Sequence, residues 1–488
     1  ARAGRDVTVL EAAEQVGGMA ATREFAPGFR ASCAHLLYSL DKNVADDLSL
    51  AGHGLGLAAS GLSTIALEPS GTHLEIDDDG VRGGDLADGD RAAWPEYKRR
   101  MSKFAAFLDH LGKQAPPRIT KRRKDVFALG TLALRLRRMG RDDMREFLRI
   151  GGINIHDVVN VHFESDLLKG ALGLDAVIGT AAGPRSNNTV FTALHRMAGS
   201  RHGYAMAAGG LGAVTDALAA AATAAGTTIR TGARVAKIES DGLSVSAVVL
   251  ENGERLAAST IVSNADPKTT MLDLLGARYL ETETARRFHH VRAKGCAAKL
   301  HLALDGLPTF AGLDQAGGRI ILAESMPAIE DAFDQAKYGE FAEQLPMEVI
   351  LLTVHDPSLA PEGKHLLSAL VQYAPRRVNG GWAARREAFL ENAMASLERY
   401  APGLRAQVVA SELLTPEDLE AQFRVTGGHW HHAEFAIDNW WMNRPTYGAA
   451  QYRTPVEGFY LCGAGVHPGG GIMGAAGANA ARAILEET

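Results

Sequence analysis

Two stretches place residue types where they could do chemistry. Near the start, "RDVTVLEAAEQVGGMAATREF" runs four β-formers, Val7, Thr8, Val9 and Leu10, into an acid, Glu11, and then into the pair Gly17 and Gly18. An acid closing such a strand can accept hydrogen bonds from the ribose hydroxyls of a dinucleotide. Glycines with no Cβ let the backbone approach a pyrophosphate. At the other end, "GFYLCGAGVHPGGGIMGAAGANAARAILEE" reads as a strand, a glycine loop and an alanine-rich helix from about residue 474. A helix N-terminus offers free N–H groups and partial positive charge, which suit a phosphate or developing negative charge. The loop glycines would leave room for a flat ring or a pyrophosphate.

Other groups are weaker. "GGHWHHAEF" brings together His429, His431, His432 and Glu434, residue types that can hold zinc. Read as a strand, His429 and His431 share one face and His432 and Glu434 the other, which divides the ligands and favours a structural or substrate-pocket role over a metal. His35 and His467 are further imidazoles able to approach a ligand at the glycine loop. The three cysteines, Cys33, Cys296 and Cys462, are far apart and form no CxxC, which argues against a disulfide scaffold, a thiol redox pair or a cysteine zinc site. From 118 to 149, Arg and Lys alternate with Leu, Phe and Met, a composition able to rest on an anionic membrane surface.

These groups need elements to hold them. The 488 residues allow a large core and two domains, and 46% hydrophobic with 22% charged residues is ordinary for a globular protein. A formal charge of −6 gives no reason to expect nucleic acid as a partner. No apolar run is long enough to span a bilayer, and the start lacks a signal-peptide layout. The spacing predicts a helix over 92–112, ended by Pro116 and Pro117, and more helices to about 200. A glycine turn and helix follow from 208, then strands near Ile229 and over Val235–Ile238. A hairpin turns at Asn252 and Gly253, and a strand ends at "SNADP". "KLHLALDGLP", "MEVILLTVHDP" and "HLLSALVQYAP" are strand candidates, and 383–400 a helix.

Taken in order, the strand-Glu-"GG" start, "GGLGAVTDALAAAA…GTTIRTGARVAKI", "TIVSNADP" and the glycine-rich ending resemble the FAD-dependent phytoene desaturase and amine oxidase superfamily. "GPRSNNTVFTALHRM", "GGHWHHAEFAIDNWWMNRP" and "HPGGGIMGAAG" point within it to the pyridine nucleotide-disulfide oxidoreductase domain-containing protein 2 group. The resemblance implies FAD as cofactor, with Glu11 on the adenosine ribose, Gly17 and Gly18 on the pyrophosphate and the Val235 backbone on the adenine. Gly463 and Gly465 would pass the ribityl and phosphate chain, and Gly471, Ile472 and Met473 would sit by the isoalloxazine ring. Lys299 in "AAKLHLALDGLP" matches a lysine placed near flavin N5 through a water, and is the candidate catalytic residue. Two departures stand out. The GxGxxG turn and its strand are absent, as in a fragment or a wrongly assigned start, and Met19 follows the "GG" where amine oxidases usually carry Arg.

The expected fold is α/β. A Rossmann-like FAD-binding domain comes from 1–75, 203–268 and 450–488, interleaved with a mixed-sheet and helical substrate domain from 76–202 and 269–449. The expected function is an FAD-dependent oxidoreductase, a dehydrogenase, desaturase or oxidase that takes a hydride to flavin N5 from a small-molecule substrate, with amines, lipids, carotenoid-like polyenes and other small molecules all open. The alternatives are a catalytically silent flavoprotein-like scaffold that binds a protein partner and a metal hydrolase built on the histidines. The expected location is the cytoplasm with membrane association, organelle targeting staying open.

Overall fold

The computed structural model describes residues 1–84 and 86–486. Its main element is an eight-stranded mixed sheet. The strand order is Val408–Leu414, Ala297–Leu304, His365–Gln372, Met347–Leu351, Arg319–Leu322, Thr64–Leu67, His73–Ile76 and Val81–Gly83. Neighbours are antiparallel except Arg319–Leu322 against Thr64–Leu67. Thr64–Leu67 and His73–Ile76, the second running across 75/76, thus belong to this sheet.

Register decides which side chains meet. Lys299 lies opposite Leu370, Leu370 opposite Glu348, and Glu348 opposite Ile321. Directly opposed residues share a face, as do residues two apart on one strand. Lys299, His301, Glu348 and Arg319 therefore all point to one side. The other side is apolar. Leu300, Leu302, Ile320, Met347, Val349 and Val371 pack there against Trp382, Phe389, Ala393 and Leu397 of the helix Trp382–Glu398. Both faces are buried, so the strands read as nearly continuous apolar runs in which single charged residues stand out.

A helical layer covers one end of the sheet. Asp88–Gly112, Ile155–His162, Asp166–Val177 and Thr189–Gly199 bury Phe104, Phe163, Leu168, Leu174 and Leu194 in a common core. The buried Asp90 carboxylate accepts from the Glu164 and Ser165 N–H groups, both at 2.8 Å, and so fixes the start of Asp166–Val177.

The Rossmann-like part has two parallel strand pairs, Thr8–Leu10 with Thr228–Arg230 and Ile261–Ser263 with Phe459–Leu461. The helices Gly212–Ala224 and Ala475–Leu485 and the antiparallel strands Val235–Ser240, Val245–Leu250 and Arg255–Ala257 complete it. Among the described residues, Thr8–Leu10 and Ile261–Ser263 each have one strand neighbour. Leu10, Ile261, Phe459 and Leu461 belong to one apolar cluster.

One arginine ties the segment 429–444 to the C-terminal strand and loop. Arg444 is fully buried, and its guanidinium donates to the carbonyls of His431 at 2.7 Å, Glu434 at 3.2 Å and Ala464 at 3.0 Å, with longer bonds to those of Ala433 and Asn439. Methionine fills a similar volume and donates nothing, so these buried carbonyls would lose their partner. Arg444→Met should cost about 3 kcal/mol or more, read as a lower denaturation midpoint.

Candidate active site

The polar side of the large sheet holds a connected set of charges. Lys299, fully buried, donates from Nζ to His35 Nδ1 at 2.6 Å. His35 Nε2 lies 3.7 Å from Glu348 Oε1. The Glu348 carboxylate is shared by two guanidiniums. Arg319 Nε approaches its Oε2 at 2.9 Å, and Arg196 Nη2 donates to the same oxygen. Both arginines also meet Asp175, Arg196 Nε at 3.2 Å. Arg196 Nε donates to the Tyr204 hydroxyl at 3.2 Å, and Arg319 Nη1 donates to Thr64 Oγ1 at 2.9 Å.

Burial decides the protonation states. Desolvation pushes Lys299 down to about 7, against smaller upward pulls from Cys33 and Glu348. Burial also lowers His35 well below its ordinary range, and Lys299, Arg196 and Arg319 lower it further, so its imidazole is neutral. For Glu348 desolvation acts upward, yet Arg196 and Arg319 together outweigh it and hold the carboxyl below its usual range. Sequence reasoning named Lys299 and His35 but missed Glu348, Arg319, Arg196 and Asp175. The signal was a lone charge inside an apolar strand, Glu348 in "MEVILL" and Arg319 in "GRIILA".

A second cluster lies against the glycine loop. The segment expected as a strand at 429–434 is a turn instead. Gly427 and Gly428 take positive φ, His432 has φ +60°, and the His432 N–H donates to the His429 carbonyl at 2.8 Å. His431 stands edge-on to Phe435 at 4.6 Å, His195 lies 4.1 Å from the same ring, and Trp440 stands edge-on to His467 at 5.5 Å. Burial lowers His195 and His429 to about 3 and His432 and His467 to about 4, so these rings are neutral at physiological pH. His429 Nε2, His431 Nδ1, His432 Nδ1 and His467 Nδ1 are buried without a hydrogen-bond partner. Among the described residues, no group of three or more His, Cys, Asp or Glu is arranged to hold a metal ion. Burial raises the thiols of Cys33 and Cys462 to about 11 and that of Cys296 to about 12, which makes them poor nucleophiles.

The residues singled out for a dinucleotide are placed as follows. Glu11 follows the strand Thr8–Leu10, and one carboxylate oxygen accepts from the Ala13 N–H at 2.8 Å. Gly17 has φ +117°, and a Cβ there would lie 2.6 Å from Thr215 Oγ1 on the helix Gly212–Ala224. Gly18 has φ +54° and open space where its Cβ would be. Val235 starts its strand at a bulge and lines a cleft of about 430 Å³ with Glu251, Thr269, Asp273 and Arg424. Gly463 and Gly465 pack on Asn264 and Pro267 of the "SNADP" turn. Gly471 has φ +128°, and its carbonyl accepts from Ser39 Oγ. Ile472 has φ +61°, a strained setting for a β-branched residue. The Met473 carbonyl accepts from the Asp41 N–H at 3.0 Å, and Gly474 caps the helix Ala475–Leu485. Met19 packs with Cys33, Leu414 and Leu419, an apolar setting that would not suit an arginine.

An acid at a strand end, open space at Gly18, and buried imidazole nitrogens without partners beside the terminal loop together fit a polar, ring-bearing dinucleotide. Several loop glycines nevertheless make room for protein groups, so they do not all serve as ligand clearance.

Two measurements test the charge set. Glu348→Gln removes the carboxylate that two buried guanidiniums share, and should cost about 3–5 kcal/mol in denaturation. For Lys299, the folded value of about 7 lies below the ordinary 10.5. The unfolded chain therefore holds a proton that the folded chain sheds between those limits. Wild type should gain stability relative to Lys299→Met as pH rises from 7 toward 10.5, and lose that gain as pH falls to 7.

Comparison with known proteins agrees with this architecture. The family of flavin-containing amine oxidoreductases matches residues 72–485. The pyridine nucleotide-disulfide oxidoreductase domain-containing protein 2 of Rattus norvegicus is 32% identical over 533 residues, covering 100% of this chain and 90% of the relative. A lycopene-forming phytoene desaturase from Paracoccus sp. is 25% identical over 334 residues, covering 68% of this chain and 64% of that one. Among solved structures, a putrescine oxidase redesigned in its cofactor binding has a TM-score of 0.61 at 16% identity, covering 99% of this chain and 94% of that one. The chain belongs to the flavin-containing amine oxidoreductase family and is an oxidoreductase with FAD as its cofactor.

Proposed function

We propose that this oxidoreductase dehydrogenates an uncharged, largely apolar small molecule, with Lys299 as its proton acceptor. The observation that carries this reading is the fully buried Lys299 with a pKa of about 7, held against His35 on the charged side of the sheet. A general base works best when its pKa lies near the working pH. Above about pH 7 Lys299 is neutral and can take a proton at Nζ. Below that it is an ammonium whose N–H points to His35 Nδ1. Bound FAD supplies the hydride acceptor, so that loss of a hydride and a proton leaves the substrate with a new double bond.

The roles that the resemblance implies for the cofactor residues form part of this reading. The Glu11 carboxylate would accept from ribose hydroxyls, the Gly17 and Gly18 backbone would face the pyrophosphate, and the Val235 backbone would meet the adenine. Gly463 and Gly465 would flank the ribityl and phosphate chain. Gly471, Ile472 and Met473 would adjoin the ring at the N-terminus of Ala475–Leu485, whose free N–H groups favour negative charge.

Charge argues for the substrate class. With Lys299 neutral, as a proton acceptor must be, Arg196 and Arg319 balance Glu348 and Asp175, and the network carries no net negative charge. An alkylammonium ion would therefore gain no net attraction from it. The neutral rings of His195, His431, Phe435 and Trp440 offer no carboxylate to offset that, and the Arg444 guanidinium over Phe435 adds positive charge. Unsaturated hydrocarbons and uncharged alcohols suit such surroundings better, and the likeness to a phytoene desaturase agrees in direction.

The test is the visible spectrum of the full chain after incubation with FAD and desalting, followed by anaerobic addition of candidate substrates. The expected result is retained flavin bands that an unsaturated hydrocarbon or an uncharged alcohol bleaches and putrescine does not. Bleaching by alkylamines alone would overturn the substrate class, and failure to retain flavin would overturn the cofactor assignments to these residues.

A further inference from the structure

The helix Arg123–Arg138 is out of keeping with the rest of the molecule. Among its described side chains only Asp125 is buried. Leu129, Leu132 and Leu136 are half-buried, and Leu132 and Leu136 touch the helical core. The opposite side also carries large apolar residues. Phe127 is 78% exposed and Leu134 48% exposed. Seven residues, or about two turns, separate them, so they lie on one line along the solvent side. Val126 on the shoulder of this line is 56% exposed, and Ile119 just ahead of the helix is 79% exposed. A surface helix that only packed on a core would turn its large apolar residues inward.

The same side is strongly basic. At helical spacing Arg123 and Arg138 flank the Phe127–Leu134 line, with Arg137 beyond them, and all three are exposed. Three of the four acids in 118–149 are engaged elsewhere. Asp143 pairs with Arg99, Arg100 and Lys103, Glu146 pairs with Arg149, and Asp125 accepts from Thr120. Residues 118–149 hold eleven Lys and Arg against four Asp and Glu, in a chain whose net charge is −6. Exposed aromatic and aliphatic side chains ringed by arginines are the layout of a helix that lies in a membrane interface, its apolar residues below the headgroups and its guanidiniums among the phosphates. Among the described residues no helix is long and apolar enough to cross a bilayer, so the contact would be peripheral.

The segment leading into this helix is anchored beside the terminal glycine loop. His467 Nε2 bonds the Leu111 carbonyl at 2.9 Å, Asn479 Nδ2 bonds that of Gly112 at 3.3 Å, and Gln451 Nε2 bonds that of Pro116 at 3.3 Å. A contact made by the helix therefore lies a few residues along the chain from the candidate cofactor loop.

We propose that the solvent side of Arg123–Arg138, centred on Phe127 and Leu134 and flanked by Arg123, Arg137 and Arg138, is a docking surface for an anionic lipid bilayer. The experiment is flotation of the full chain with phosphatidylcholine vesicles, with and without phosphatidylglycerol, at low and high salt. It reads binding without turnover and so does not depend on the substrate assignment. The expected result is flotation with the phosphatidylglycerol vesicles only, weakened by salt. Replacing Arg123, Arg137 and Arg138 together by Gln should weaken binding on the order of a hundredfold. The pair Phe127→Ser and Leu134→Ser should weaken it by about tenfold or more. These side chains are exposed, so an unchanged thermal melt shows that the fold is kept. No flotation with either vesicle would overturn the proposal, as would binding that both variants leave intact. A dimer in sedimentation that Phe127→Ser and Leu134→Ser dissolves, with no vesicle binding, would overturn it in favour of a second copy of the chain.

Discussion

The Glu348 carboxylate, held between Arg196 and Arg319, is the interaction on which the candidate site depends. Taking ionised groups out of water costs several kcal/mol each, and only close pairing with further hydrogen bonds offsets that cost. Here the pairing spans separate elements. Glu348 and Arg319 come from adjacent strands of the large sheet, Arg196 from the helix Thr189–Gly199, and Asp175 from Asp166–Val177. Thr64 and Tyr204 add hydrogen bonds. The helical layer and the sheet are thus locked in one relation. The negative charge left at Glu348 then supports Lys299, which burial alone would press still lower.

That arrangement links register to chemistry. A one-residue slip of Ala297–Leu304 would turn Lys299 into the apolar layer around Trp382 and Phe389 and bring Leu300 to the charged side. Two antiparallel neighbours hold the strand along nearly its whole length, which makes such a slip costly. The glycine loop is fixed differently. Arg444 bonds carbonyls on both the 431–439 segment and the loop at Ala464, while Ser39 and Asp41 hold Gly471 and Met473 from the other side. Such a scaffold holds the loop backbone in one arrangement.

Much of this was legible in the sequence because the Rossmann-like signals are local. A β-run ending in Glu11, the Asn252–Gly253 hairpin, the glycine turn before Gly212–Ala224 and the alanine-rich last helix each follow from turn chemistry or periodicity over short windows. The strand Thr8–Leu10, the hairpin strands Val245–Leu250 and Arg255–Ala257, and the helix Ala475–Leu485 lie where those signals point. The charged site was not legible as a site. Arg196, Arg319 and Glu348 are far apart in sequence, and only pairing across the sheet joins them. The short strands Thr64–Leu67, His73–Ile76 and Val81–Gly83 carry little alternation, so the entry of the chain into the large sheet before residue 75 left no pattern. The histidine segment misled for a local reason. Its alternation resembles a strand, but Gly427, Gly428 and His432 adopt left-handed backbone and fold it into a turn.

The central claim is that a buried lysine titrating near neutrality stands beside a bound flavin. The most direct measurement is the visible absorption spectrum of the full chain loaded with FAD, recorded from about pH 5 to 9 beside Lys299→Met. Gain or loss of a charge next to the ring should move the flavin bands with a midpoint at about 7 in the wild type, and the variant should show flavin bands that do not move. A wild-type spectrum that does not change with pH, or a shift that persists in Lys299→Met, would contradict the account.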